Sequence, residues 1–428
     1  MLISFSFQNW MSFRDETEFS MKAGREKQHQ ERLAFLPDHD LKLLPVAAVY
    51  GGNASGKSNF VAALAFCKGL VCGETHSVPA FRLDKECASQ PSRFSVALFA
   101  DNEKVYEYFF SVTKECVQEE KLVRYGTKPA DDATIYHRIK DEINFDAAFS
   151  EAEKLRFTFL KEGTRSNQLF LTNAISQNVK NVDIQAVDNW FRHNLVILTP
   201  NTKISPFALR EMVDNNVCSI LSKLDTGIVS FNETELSSDD LKRHMPPMAV
   251  EDLRKRLSQT KIFQDSTLFR LENDEIKASL LTTVHESMDG SPVHFLLNEE
   301  SDGTQRAFDL VPMFVAIASQ NSRRVFIIDE IDRSLHTLMI QSLIQAYLTS
   351  CNGNNRAQLV FTTHNVMLMD QDIFRRDEIW VTERQSQGQS KLYSFAEFKE
   401  VRSDTRICKS YLQGRMGGIP HILLQGPF

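Results

Sequence analysis

Three short, mostly apolar runs stand out along this 428-residue chain, at residues 44–50 (LPVAAVY), 325–328 (VFII) and 358–364 (QLVFTTH). Runs of this length that are rich in β-branched residues and lack polar alternation are typical of strands buried on both faces of a parallel sheet. Each run leads directly into glycine or polar residues. The pattern therefore predicts three buried strands, and the residues that follow them are candidates for chemistry.

Alternation of apolar and polar positions predicts a second kind of sheet, antiparallel and with one wet face. LISFSF and ETEFSM near the N-terminus have this pattern, and so do SLLTTVHES and PVHFLL, which read as a hairpin around the turn at Asp289 and Gly290. Between Phe81 and Ile139 the predicted strands are FRL, RFSVALF, VYEYFFSV, KLVRY and TIYHRI.

Helical patches replace this pattern between about residues 141 and 285, as in FDAAFSEAEKLRFTFL, VDIQAVDNWFRH and MAVEDLRKRLSQT. No heptad repeat is sustained, so we predict a compact helical insertion and not a coiled-coil arm. The expected fold class is α/β with a mixed sheet, an antiparallel β subdomain and this insertion. Its expected domains are an N-terminal lobe (1–140), the insertion (141–285), which is a lid or a docking surface, and a C-terminal lobe (286–428).

Composition narrows the class of protein. With 42% hydrophobic and 25% charged residues the chain is typical of soluble globular proteins, and it has neither a membrane-span run nor a signal-peptide pattern, so we predict a cytoplasmic location and no membrane association. The seven cysteines form no C-x-x-C pair, which argues against a zinc site or a disulfide framework. A net charge of −7 gives the protein as a whole no electrostatic attraction for nucleic acid. Binding of nucleic acid through a local basic groove is an alternative that composition leaves open but does not favour.

The first apolar run leads into GGNASGKS at 51–58, a G-x-x-x-x-G-K-S pattern followed by the helix-like NFVAALAFCKGLV. Glycines let the backbone wrap closely around phosphates, and successive N–H groups together with the positive end of the helix attract them. Lys57 is expected to reach the β- and γ-phosphates and Ser58 to bind Mg²⁺. The predicted nucleotide-binding residues of this loop are Gly51, Asn53, Ser55, Gly56, Lys57, Ser58 and Asn59.

Polar residues also follow the other two buried strands. Asp329 and Glu330 come directly after the second run, and His364 ends the third. Ionised carboxylates at the end of a buried strand need a cation or donors, so the pair is either a solvated turn or a Mg²⁺ and water site. His364 is predicted to sense the γ-phosphate. Ser301 and Gly303 precede an apolar helix, where they form a helix cap or contact a γ-phosphate.

The order of these motifs resembles that of ABC-type ATPases of the SMC, Rad50, RecF and OLD group. GGNASGKS, EESDGT, VFIIDE, SLH and TTH stand where those proteins have Walker A, signature, Walker B, D-loop and switch histidine. More closely, the chain resembles prokaryotic antiphage-defence ATPases of the RloA and AbiL kind. This resemblance covers nearly the whole chain and includes the opening NWMSF, the ESDGT signature, DEIDRSLH, RRDEIW and YLQGRMGGIP. Those ATPases are paired with a separate RloB-like nuclease.

The resemblance implies a role for each matching residue. Lys57 and Glu330 would act in ATP hydrolysis with His364, Glu330 by orienting or deprotonating the attacking water, and Asp329 would hold Mg²⁺ together with Ser58. Ser301, Gly303 and Thr304 would act on the nucleotide of an opposing subunit, which implies a homodimer or a higher even oligomer around two Mg²⁺-ATP molecules. Thr337 stands where relatives commonly have proline, and the Q-loop glutamine is either Gln118 or Gln168.

Three functions fit these motifs. The first is the sensor and switch subunit of an antiphage abortive-infection system that controls a partner nuclease or toxin. The second is a RecF-like DNA-repair ATPase that binds duplex DNA. The third, an ATPase fused to its own nuclease as in OLD proteins, is set aside, because the 64 residues after His364, with sheet-like VTERQ and KLYSF, are too few for a further nuclease domain.

Overall fold

The computed structural model describes residues 1–74, 77–145, 149–200, 215–224, 226–236, 262–264, 266–272, 275–398 and 407–419, together with residues 251, 253, 254 and 257. The chain divides into two compact units. The first comprises residues 1–199, 320–331 and 348–428, and the second comprises 200–319 and 332–347. This division differs from the three consecutive lobes expected from the sequence. Among the described helices, none has the length and hydropathy needed to cross a membrane.

A six-stranded sheet in the first unit contains the three apolar runs. Its strands are β5 (Val46–Tyr50), β11 (Leu195–Leu198), β17 (Val325–Ile328), β18 (Gln358–Thr362), β19 (Ile379–Arg384) and β20 (Ser390–Ser394). Their order is β11-β17-β18-β5-β19-β20, and only β20 runs antiparallel to its neighbour. Since the carboxyl ends of parallel strands meet at one edge, the residues after β5, β17 and β18 lie side by side. The prediction of three buried parallel strands is confirmed.

A seven-stranded antiparallel sheet forms the second layer of this unit. It consists of β1 (Leu2–Gln8), β2 (Thr17–Ser20), β6 (Ser92–Phe99), β7 (Val105–Val112), β8 (Val117–Tyr125), β9 (Ala133–Ile139) and β10 (Glu142–Phe145), in the order β10-β9-β8-β7-β6-β1-β2. A small hairpin pairs β3 (Ala34–Leu36) with β4 (Leu41–Leu43). The antiparallel sheet was predicted, but the predicted strand at 81–83 is wrong. There the Phe81 N–H is bound by the side chain of Asn9 at 3.0 Å, and Pro79 accepts from Met11 at 2.7 Å.

Helix α1 (Lys57–Val71) follows the glycine loop and packs against the antiparallel sheet. Its Phe60 ring lies 5.0 Å from that of Phe19 and 6.3 Å from those of Phe5 and Phe7. All four rings are fully or almost fully buried. Aromatic side chains contribute a large share of core burial, and tilted pairs at these separations are favourable. The start of α1, and with it the glycine loop, is therefore fixed by an aromatic core.

Shorter helices complete the first unit: α2 (Lys85–Ala88), α3 (Glu151–Gly163), α4 (Phe170–Ser176), α5 (Val182–Asn189) and, near the C-terminus, α9 (Ile407–Leu412). The buried Glu120 of β8 joins α4 to the sheet, because it accepts from the backbone N–H groups of Phe170 and Leu171 and from the hydroxyls of Tyr108 and Tyr136. A carboxylate is favourable at a helix N-terminus, where the first N–H groups lack partners.

The described part of the second unit includes a smaller antiparallel sheet and the helices α6 (Asn215–Leu221) and α7 (Asp302–Ala318), which contact each other. The strands are β12 (Ser230–Leu236), β13 (Ile262–Gln264), β14 (Thr267–Glu272), β15 (Glu275–Glu286) and β16 (Pro292–Leu296). The predicted hairpin is confirmed as β15 and β16. The stretch 141–285, expected to be helical, thus contains several strands, and much of MAVEDLRKRLSQT lies outside the described residues. Helix α8 spans Thr337–Ser350; its residues 337–347 belong to the second unit and 348–350 to the first.

Candidate functional site

The glycine loop at 51–58 connects β5 to α1 and places the side chain of Lys57 beneath its own backbone. The Lys57 ammonium donates to the carbonyl oxygens of Gly51 at 2.8 Å and Gly52 at 3.1 Å, and it lies 3.3 Å from Nδ1 of His364. Lys57 is only 5% exposed. A buried ammonium group needs hydrogen-bond acceptors, and these carbonyl oxygens supply them, so the loop holds the Lys57 side chain in a fixed position at the carboxyl edge of the sheet.

Neighbouring elements hold the loop through hydroxyl groups. The Ser55 hydroxyl lies 2.6 Å from that of Thr382 on β19. At the start of α1, the amide of Asn59 donates to Ser12 Oγ at 2.7 Å, and Ser12 Oγ lies 2.8 Å from Ser390 Oγ on β20. Because buried hydroxyls exchange hydrogen bonds with water for bonds of fixed geometry, these contacts fix the position of the loop relative to β19 and β20.

Thr362, the last residue of β18, positions the acidic pair after β17. Its hydroxyl donates to Oδ1 of Asp329 at 2.5 Å and accepts from the backbone N–H of Glu330 at 2.8 Å, while its carbonyl accepts from the N–H of Ile331 at 3.0 Å. Glu330 has a φ of 49°, in the left-handed region that non-glycine residues rarely adopt. Such a conformation persists only where the surroundings determine it, and Thr362 supplies much of that constraint.

A cavity of about 670 Å³ lies over these groups, within the first unit. It is lined by residues 11, 12, 53–59, 79–83, 330, 364, 384 and 388. Of the residues predicted from the sequence, the cavity thus brings together most of the loop, Glu330 and His364. This volume lies within the range of ligand-binding clefts. Neither Q-loop candidate, Gln118 or Gln168, is among the lining residues.

The oxygen donors near the cavity suit a hard cation only in part. Ser58 is exposed at the start of α1, and Asp329 is buried at the end of β17 with one carboxylate oxygen bound to Thr362. Within the described residues there is no cluster of three or more histidine, cysteine or acidic side chains that could hold a metal. Mg²⁺ is commonly bound by one or two carboxylates together with substrate phosphates and water. The donor set therefore fits Mg²⁺ that arrives with a nucleotide.

The predicted signature residues lie in the second unit, at the start of α7. Ser301 caps this helix, because its hydroxyl accepts from the N–H of Thr304 at 3.2 Å. The structure thus contains the helix cap that the sequence offered as the simpler alternative, and the role of the exposed Ser301 at a phosphate, which the sequence favoured, stays a prediction. A Cβ atom on Gly303 would stand 2.7 Å from the carbonyl of Ser334, so the signature glycine and the D-loop segment touch within this unit.

Several lining residues were not foreseen as site residues. Residues 79–83 were interpreted in part as a strand, and Met11 and Ser12 belong to the NWMSF motif, which was recognised only as a family feature. The cavity also exposes the guanidinium groups of Arg82 and Arg384. An arginine soon after a phosphate loop is a weak sequence signal, because exposed arginines are common. Its position became informative only when the fold placed it at the cavity.

If ATP is hydrolysed at this cavity, as the motif resemblance implies, replacing Thr362 by valine is expected to lower its turnover by about 10- to 100-fold, the usual cost of losing a group that orients a metal or catalytic ligand. Valine has nearly the same shape but cannot bond to Asp329 or to the Glu330 backbone. Steady-state hydrolysis measured beside Thr362→Ser, which keeps the hydroxyl, provides the check. Equal losses in both variants would show that the hydroxyl is not responsible.

Comparison with known proteins places the chain in a family. A family model described as "AAA domain, putative AbiEii toxin, Type IV TA system" matches residues 46–370. Because the match spans most of the chain, the chain belongs to this family of AAA domains. Family membership and the strand, loop and helix arrangement agree with the expected α/β P-loop ATPase class. The closer resemblance to RloA and AbiL proteins stays a prediction. No curated protein matches the chain.

Solved structures resemble the chain at low identity. The head of an SMC protein bound to the C-terminal winged-helix domain of ScpA has 14% identity and a TM-score of 0.43, over 92% of this chain and 97% of that one. The SMC head domain from Thermotoga maritima has 13% identity and a TM-score of 0.36, over 92% and 98%. The recombination mediator RecF with a bound ATP analogue has 11% identity and a TM-score of 0.36, over 92% and 98%. At these TM-scores the resemblances carry no functional argument.

Proposed function

We propose that this protein binds Mg²⁺-ATP in the cavity over the glycine loop and hydrolyses it. The observation that carries the proposal is the convergence of Lys57, Ser58, Glu330 and His364 on one cavity at the carboxyl edge of a parallel sheet. These residues come from three chain segments more than 30 residues apart. Phosphoryl transfer is catalysed mainly by positioning and charge neutralisation, and this group of residues suits both.

Each side chain has a separate part in this proposal. Lys57 exchanges the carbonyl oxygens of Gly51 and Gly52 for β- and γ-phosphate oxygens. Ser58 and Asp329 would hold Mg²⁺, which would supply charge neutralisation at the phosphates. Glu330 orients or deprotonates the attacking water, and His364, already 3.3 Å from the Lys57 ammonium, responds to the γ-phosphate. The strained backbone of Glu330 and its bond to Thr362 support a fixed carboxylate position.

We further propose that two copies of the chain complete each other's sites, with Ser301, Gly303 and Thr304 of one copy at the nucleotide of the other. Neither Lys57→Ala nor Ser301→Arg subunits alone should hydrolyse ATP. An equal mixture should recover about a quarter of wild-type activity, because half of randomly formed dimers are mixed and each has one intact site. Steady-state hydrolysis and mass measurement with and without ATP provide the test.

The matched control is a mixture of Lys57→Ala with the Lys57→Ala, Ser301→Arg double variant, in which no intact site can form. Activity in the first mixture but not in this control supports composite sites. No recovery in either mixture, together with a monomeric mass in ATP, rules them out. In that case the Glu330→Gln and Lys57→Ala variants decide whether a single chain hydrolyses ATP at its own site.

For the biological role we propose the sensor and switch subunit of a prokaryotic antiphage system, acting on a separate nuclease or toxin. The family description, which names an abortive-infection toxin, and the motif resemblance both support it. Phage challenge of cells that carry the native operon, with either the wild type or Lys57→Ala, is the test: protection should require the intact loop. Equal survival together with salt-dependent binding of duplex DNA would favour the RecF-like alternative, for which the net charge of −7 gives no support.

A further inference from the structure

The segment at 411–418 contacts the backbone of the glycine loop directly. The carbonyl of Gly418 accepts from the N–H of Gly52 at 3.0 Å, and it also accepts from the hydroxyl of Tyr411 at 2.9 Å. The N–H of Gly418 donates to Oε1 of Glu383 at 3.1 Å. The backbone C=O of Gly418 is thus hydrogen-bonded to the glycine loop, and its N–H is hydrogen-bonded to Glu383 on β19.

Two consecutive glycines make this approach possible. Gly417 and Gly418 have φ values of 64° and 70°, in the left-handed region. A Cβ on Gly417 would overlap the hydroxyl of Tyr393, and a Cβ on Gly418 would overlap the side chain of Val381. Close approach of one backbone to another is a common reason for glycine. The pair therefore serves a specific contact with β19, β20 and the loop.

Buried side chains anchor the segment on either side of that contact. Met416 is 1% exposed and Tyr411 is 4% exposed. The Tyr393 hydroxyl donates to the carbonyl of Met416 at 2.9 Å. Burial, together with the nearby Glu383 carboxylate, raises the pKa of Tyr411 to about 12, so this hydroxyl keeps its proton and remains a donor to Gly418 across the physiological range.

The contact falls on the part of the loop that orients Lys57. The N–H of Gly52 donates to Gly418, and the carbonyl of Gly52 accepts from the Lys57 ammonium. The carbonyl of Gly51, which also accepts from Lys57, belongs to the peptide group that supplies this N–H. Holding the Gly52 N–H therefore fixes the plane of the peptide whose oxygen is nearest to Lys57.

We propose that residues 416–418 are a positioning element of the nucleotide site, which holds the Gly51–Gly52 peptide in the orientation that keeps Lys57 directed at the phosphates. The proposal rests on ATP binding at the glycine loop. In this proposal Gly417 and Gly418 affect nucleotide affinity by acting through Lys57. Their role is therefore more than packing against the β19–β20 hairpin.

The first test compares Gly418→Ala with Gly414→Ala in the full chain. Gly414 also has a left-handed φ, of 75°, but a Cβ there meets nothing within 4 Å, so it controls for backbone strain alone. Gly418→Ala should weaken ATP affinity by about 10- to 100-fold, as small misplacements of catalytic groups do. Gly414→Ala should stay within about twofold of the wild type. Equal affinities in the two variants would overturn the proposal.

A second measurement distinguishes positioning from general destabilisation. In a Lys57→Ala background, Gly418→Ala should cause no further loss of ATP affinity, because the group that it positions is already absent, although the melting temperature should still fall. The same fold-loss in both backgrounds would show that the segment does not act through Lys57. If the wild type binds no ATP, the proposed function itself fails, and this inference fails with it.

Glu383 provides a test without new backbone strain, in case Gly418→Ala does not fold. Glu383→Ala removes the acceptor of the Gly418 N–H, whereas Glu383→Gln keeps a carbonyl oxygen there. ATP affinity should fall in the alanine variant and be restored in the glutamine variant. Wild-type affinity in Glu383→Ala, with the chain folded by circular dichroism, would overturn the proposal.

Discussion

Glu330→Gln is expected to lower ATP turnover by about 10²- to 10⁴-fold, the usual contribution of a positioned general base, and to leave ATP affinity nearly unchanged. Glutamine preserves the shape of the side chain, and the backbone N–H of residue 330 still donates its hydrogen bond to the Thr362 hydroxyl. Its amide, however, cannot take a proton from water. Single-turnover hydrolysis and equilibrium binding of ATP measure the two quantities separately.

Trapping of the nucleotide follows from the same substitution. If hydrolysis opens the proposed dimer, Glu330→Gln should accumulate as an ATP-bound dimer whose mass can be measured directly. The control is Glu162→Gln, which changes an exposed glutamate of α3 far along the chain from the loop and should behave as the wild type. Wild-type turnover in Glu330→Gln would remove this residue from the mechanism and leave His364 as the remaining candidate over the cavity.

Lys57→Ala is expected to weaken ATP binding by about 100-fold, because one or two charge-assisted hydrogen bonds to the phosphates, each of about 1.5–3 kcal/mol, are lost. Stability offers a direct readout. At an ATP concentration of about 100 times the wild-type Kd, ligand binding stabilises the wild type by about 2.7 kcal/mol, and the variant by only about 0.4 kcal/mol. Thermal or denaturant unfolding with and without ATP measures this difference.

Lys57→Arg separates charge from geometry. Arginine keeps the positive charge, but its planar guanidinium does not fit the compact position between the carbonyls of Gly51 and Gly52. Affinity should therefore fall in this variant as well. Full ATP affinity in Lys57→Ala would contradict the nucleotide site itself, and the composite-site and positioning proposals would fall with it.

The parts of the site that lie close together in sequence were predictable. The glycine loop, the strand before it and the helix after it follow from one local pattern, and so does the acidic pair after the second apolar run. Local chemistry dictates both, since glycines are needed for a close backbone turn and β-branched runs favour buried strands. The cavity residues at 81–83 were wrongly interpreted as a strand because a short alternating stretch is ambiguous without its neighbours.

Strand order was not predictable, and it decides what surrounds the loop. The stretches that became β19 and β20 were read as sheet-like, but nothing in their composition places Thr382 beside Ser55 or Ser390 beside Ser12. The same holds for Thr362 on β18, whose hydroxyl donates to Asp329 at the end of the neighbouring strand β17. Long-range pairing depends on the whole chain, so a single sequence gives the presence of such residues but not their partners.

The position of β5 has a consequence for biosynthesis. This strand ends at Tyr50, yet its neighbours β18 and β19 begin at Gln358 and Ile379, more than 300 residues later. At about 5–20 residues per second, a ribosome needs roughly 15–60 s to supply them. During that time β5, the strand before the glycine loop, lacks both of the strands with which it pairs in the folded sheet. We therefore expect nascent chains of this protein to expose an apolar strand for most of their synthesis and to need protection from aggregation during that time.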